Sequence, residues 1–146
     1  MTGYNFLRSV NEATAPAGQA EVYIEVGALP AQVAPLRVVT ADLAARADFD
    51  LDAVADLRMA VDEACSTLAT LAVPDARMQC LVRVDTERIT VTVRIPSPRI
   101  AVISQDTFGW RVLATLADKV EILGNDVADP PSLGIRLVKE RQVGVA

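Results

Sequence analysis

Glu63 and Thr67 stand one helical turn apart in the run LDAVADLRMAVDEACSTLATLA, residues 51–72, inside the longest stretch free of glycine and proline. At this spacing a carboxylate and a hydroxyl face the same way. A solvated polar face has the same pattern. The chain has no histidine at all. That absence removes Ser-His-Asp and Cys-His nucleophilic sites, the commonest general base, and nearly all catalytic zinc sites. Any chemistry here would have to rest on carboxylates, so no metal centre is expected and Glu63 is the side chain to place first.

Residues 51–72 read as the central helix. Asp50 suits the N-cap, and Asp52 and Asp56 put negative charge at the positive end of the helix dipole. At 100° per residue Val54, Leu57, Val61, Ala64, Cys65, Leu68, Leu71 and Ala72 form the core side, with Asp56, Glu63, Thr67 and Thr70 opposite.

The remaining elements follow from local pattern. Residues 1–20 are small and polar without periodicity and predict a mobile tail, leaving residues 21–146 as a single domain. EVYIEV, residues 21–26, alternates as a half-buried strand. A helix is expected over 31–47, with Pro35 tolerable only near its first turn. Its core stripe reads Val33, Leu36, Val39, Leu43 and Ala47. On another side lie Ala34, Val38, Ala41 and Ala45, beside Arg37 and Asp42. A small apolar patch with a charged rim is what a protein-binding helix offers, although alanine is also simply the best helix former.

Strands at 77–84 and 88–95 form a hairpin around Asp85-Thr86-Glu87, and Pro96-Ser97-Pro98 ends it. A helix over about 105–118 carries Trp110, Leu113, Ala114 and Ala117 on one face, and strands at 119–123 and 134–139 close the chain. Helices on one face of a mixed, mainly antiparallel sheet make a two-layer α+β sandwich.

A length of 146 residues suits one domain, since a chain of this size buries roughly two-thirds of its unfolded surface. The net charge of -5 argues against a direct nucleic-acid binder, which needs clustered Lys and Arg. No apolar run approaches the ~20 residues of a membrane span, and no secretory signal pattern opens the chain. A cytoplasmic location is expected. Cys65 and Cys80 make no C-x-x-C and read as reduced core residues.

In the order of its elements, in DLRMAVDEACSTL, in FGWRVLATLADKVEI and in the ending GIRLVKE, the chain resembles the anti-sigma-factor serine kinases of the RsbW type. These belong to the Bergerat-fold ATPases, with gyrase and the histidine kinases. The resemblance covers about residues 20–140. It implies the Bergerat fold, a sigma factor held in an inhibitory complex, an anti-anti-sigma protein phosphorylated on serine, and Mg-ATP as cofactor. It also implies a possible homodimer, since such proteins commonly dimerise through the sheet.

Carried over by position, the motifs match unevenly. In Ala60-Val61-Asp62-Glu63-Ala64, Glu63 stands at the acid that activates the attacking hydroxyl. Thr67 replaces the asparagine that binds magnesium, and a hydroxyl is a weaker oxygen ligand than an amide carbonyl. Ile95 replaces the aspartate that reads adenine. The glycines of the following turn fall at Ser97 and Arg99. The lid shrinks to residues 101–107, and of G-x-G-F only Gly109 has a counterpart. Arg37 matches an arginine at the sigma interface, flanked here by Val38, Ala41 and Ala45.

The expectation is therefore an anti-sigma factor that sequesters its sigma factor and uses no nucleotide. The alternative is an active kinase with Glu63 as base and Thr67 and Gly109 against Mg-ATP. A plain structural module with no sigma partner is the weaker third reading.

Overall fold

Alternation along the strands and a 3.6-residue repeat along the helices assemble two layers. The computed structural model describes residues 19–125 and 127–142. Residues 1–18, most of the expected tail, lie outside that range. The elements are β1 (Ala20–Gly27), α1 (Pro30–Arg46), α2 (Leu51–Leu71), β2 (Arg77–Val84), β3 (Arg88–Pro96), α3 (Phe108–Leu116), β4 (Lys119–Asn125) and β5 (Ser132–Glu140). The sheet order is β1-β2-β3-β5-β4, and all four pairings are antiparallel. The expected α+β sandwich, with helices on one face of the sheet, is present.

The core lies between the layers. Met78, Cys80 and Val82 of β2, Ile89, Val91, Val93 and Ile95 of β3, and Leu133, Ile135 and Leu137 of β5 are buried in one cluster with Leu57, Val61, Ala64, Cys65 and Leu68 of α2. Alternate residues of these strands point the other way, so β3 turns Thr90, Thr92 and Arg94 outward. In the α1–α2 layer, α1 lies over β1 and β2, and α2 over β3 and β5.

The central helix is capped as its sequence requires: the Asp50 carboxylate accepts from the Ala53 amide at 2.7 Å. Its buried residues add Ala53 and Ala60 to the expected set, while Val54 packs half-buried at the edge.

The core stripe of α1 differs from the expected one. Val33 and Leu36 are buried as expected, but the next buried positions are Thr40 and Ala44, with Val39 and Leu43 only half-buried. A polar residue at the centre of the stripe disguised the true face. Thr40 meets the need of its hydroxyl by donating to the Leu36 carbonyl at 2.7 Å. Pro35 falls in the second turn, later than expected. Both Pro35 and Ala31, whose carbonyl loses its amide partner, face solvent, so water can take that bond.

The third helix is shorter than the expected 105–118. The Thr107 hydroxyl accepts from the Trp110 amide at 3.1 Å and fixes the start. Leu113 and Ala117 are buried and Trp110 packs half-buried against them, but Ala114 is exposed. Lys139 of β5 closes the other end: its buried ammonium donates to the Leu116 carbonyl at 2.9 Å and to Asp56 of α2 at 3.3 Å. Asp56, expected on a polar face, thus ties α2 to both α3 and β5.

Candidate functional site

Glu63 and Gly109 meet. Glu63 lies half-buried on α2, and Gly109 is the second residue of α3. A Cβ built on Gly109 would stand 2.1 Å from Glu63 Oε1 and 3.1 Å from its Cδ. The carboxylate therefore lies beside Gly109 in the first turn of α3, where the helix dipole favours negative charge. Thr67, one turn further on, is half-buried, and its carbonyl accepts from the Thr70 hydroxyl at 2.7 Å.

Arg37 is held within the chain. Its Nη1 donates to Asp62 Oδ1 at 2.8 Å, across the packed α1 and α2, with both groups partly exposed. Asp62 was invisible as a partner in the sequence because the two residues are 25 positions apart and meet only when the helices fold back on each other. Beside this pair Val38 is 55% exposed. Ala45 is also exposed, and Ala34 and Ala41 are half-buried. Met59 on α2 is also exposed.

The turn after β3 is built partly from buried residues. Ile95 is 1% exposed and Ser97 3%, and the Ser97 amide donates to the Pro131 carbonyl at 3.0 Å. Residues 97–105 and the β4–β5 hairpin border an open hollow of about 520 Å³, with Arg99, Ile103, Gly124 and Ser132 in its wall. Glu63, Thr67 and Gly109 do not line it. The structure thus brings Glu63 and Gly109 together, and Ser97 and Arg99 of the turn line a hollow in which neither Glu63 nor Gly109 takes part.

Burial pushes the Cys80 thiol up to about 12, and drives Cys65 higher still with the help of Cys80 and Asp62 nearby. Both are free and buried, as expected. Among the described residues no helix is long and apolar enough to cross a membrane.

Residues 26–129 match the model of the histidine kinase-like ATPase domain. The chain belongs to that family. Over 104 residues it is 36% identical to the anti-sigma-F factor RsbW of Mycobacterium tuberculosis, in strains CDC 1551 / Oshkosh and H37Rv alike. That match takes in 71% of this chain and 62% of the relative, so the chain spans less than two-thirds of the protein it resembles. Its fold is also that of the crystal structure of the RsbU and RsbW domains of Rv1364c from M. tuberculosis. The TM-score is 0.60 and the identity 14%, over 92% of this chain and 35% of the other.

A histidine kinase-like ATPase domain implies ATP with magnesium, and the residues here do not fit that group. Ile95, buried hydrocarbon, cannot accept from an adenine amino group. Pro96 and Pro98 stiffen the turn that would have to approach a nucleotide. At the start of α3 the Glu63 carboxylate stands beside Gly109 and would set a negative charge next to any phosphate placed there. No amide side chain stands at Thr67 to hold a magnesium ion between two anions.

Proposed function

We propose that this protein is an anti-sigma factor: it sequesters an RNA polymerase sigma factor one-to-one in the cytoplasm and is controlled by an anti-anti-sigma partner. The observation that carries the reading is the outward face of α1. There Val38, Ala41 and Ala45 make an apolar strip, with the Arg37–Asp62 pair along its edge. An apolar centre with an ionic rim suits a specific protein interface. The name of the M. tuberculosis relatives supplies the class of partner. An acidic chain that binds no nucleic acid can still regulate transcription by holding a protein.

Sequestration without phosphorylation is the mechanism these residues support. The kinase alternative needs Glu63 poised at an open nucleotide site, whereas its carboxylate lies against Gly109. The test is co-purification of the tagged chain from its own cells, with partners identified by mass spectrometry. A sigma factor recovered in equimolar amount supports the proposal, and recovery of no sigma factor overturns it.

A further inference from the structure

We propose that Asp62 is a positioning residue for partner binding: it holds the Arg37 guanidinium at the edge of the α1 strip, ready to meet acceptor oxygens of the bound protein. This inference deepens the sigma-factor reading and rests on it.

The pair differs from an ordinary surface ion pair. Arg46 and Asp42 bond at 2.7 Å within α1, one turn apart, with side chains 76% and 56% exposed. A pair of that kind moves with its own helix and contributes little. Arg37 and Asp62 instead bridge two packed helices at 2.8 Å, with side chains 37% and 47% exposed. Asp62 therefore restrains Arg37 from outside its own helix. The backbone of α1 places the stem of the arginine, and α2 places its head.

Only Nη1 is engaged, and among the described residues Arg37 makes no other hydrogen bond or ion pair. A guanidinium carries several N–H donors in a rigid fork, so the others remain for a partner. Val38, the next residue along, is 55% exposed, which sets the held charge beside the apolar contact. A free arginine loses rotamer freedom when it is fixed in an interface, and affinity falls accordingly. Held by Asp62, Arg37 has lost much of that freedom before the partner arrives. The opposing effect is the negative charge of Asp62, which repels an acidic group on the partner. Solvent screens that repulsion at partly exposed positions, and the gain from ordering is the larger.

The test is titration calorimetry of the full chain with the sigma factor recovered by co-purification, beside thermal melts of each variant. Asp62→Ala should weaken binding about three- to tenfold, with a nearly unchanged melting temperature. Asp62→Asn keeps an acceptor for Arg37 without the charge and should bind within about twofold of the wild type. In an Arg37→Ala background, Asp62→Ala should change affinity by less than about twofold, because nothing is left to position.

The proposal falls if Asp62→Ala binds as tightly as the wild type or more tightly, or if Asp62→Asn is as weak as Asp62→Ala. It falls equally if Asp62→Ala still weakens binding without Arg37, which would make Asp62 a direct contact. A wild type that binds no sigma factor overturns the sigma-factor reading itself, and this proposal with it.

Discussion

The Glu63 carboxylate occupies the place where a side chain on residue 109 would begin, with Oε1 2.1 Å from the position of a Cβ on Gly109. Two residues 46 positions apart are thereby fitted to each other, and the acid that could have served chemistry lies against Gly109 at the start of α3. The obstructing atom is the tip of a flexible side chain. Gly109→Ala should therefore displace Glu63 at little cost, since alanine returns up to about 1 kcal/mol of helix propensity. Denaturant melts are expected to move by less than about 1 kcal/mol, while the Glu63 carboxyl resonance shifts. An unmoved resonance would contradict the contact.

Mg-ATP should not bind at physiological millimolar concentration. The buried hydrocarbon of Ile95 and the prolines beside it leave adenine without an acceptor and the phosphates without a turn. Titration calorimetry checks this: no saturable heat is expected. A dissociation constant below about 100 μM, or roughly -5.5 kcal/mol, would contradict the account of the pocket.

The two thiols predict how stability falls in alkali. Burial raises both above the ordinary cysteine range, Cys80 to about 12 and Cys65 beyond it. In the unfolded chain they ionise near 8.5. Their contribution is thus complete below about pH 8.5 and is lost progressively above it, because the unfolded state sheds protons that the folded state keeps. Between pH 8 and 10 each thiol should lower stability by roughly 1–2 kcal/mol. Urea melts of wild type against Cys65→Ala/Cys80→Ala measure this, and a drop equally steep in the variant would show that other groups cause it.

Much of the fold was legible because burial writes itself into period. The alternation Ile89, Val91, Val93 and Ile95 gave the buried side of β3, and Leu57, Val61 and Leu68 that of α2. The reading slipped where a polar residue took a core position, as Thr40 does in α1, or an apolar one stayed in water, as Ala114 does in α3. Bond geometry between distant residues carries no local signal. The Arg37–Asp62 pair and the Lys139 bond to Asp56 had to be seen.

The central claim is that the outward face of α1 holds a sigma factor, and Val38→Asp tests it most directly. Val38 is 55% exposed and outside the core, so the substitution should leave the melting temperature nearly unchanged. In a docked interface it would bury an unpaired charge, which typically costs several kcal/mol. Arg37 is the less clean choice, because its pairing with Asp62 contributes up to about 1 kcal/mol to the fold itself. The measurement is a pull-down of the sigma factor by wild type and by Val38→Asp, beside thermal melts of both. The account predicts a one-to-one complex for wild type and its loss in the variant at equal melting temperature. Undiminished binding by Val38→Asp would contradict it and return the Ala/Val strip to ordinary helix-forming sequence.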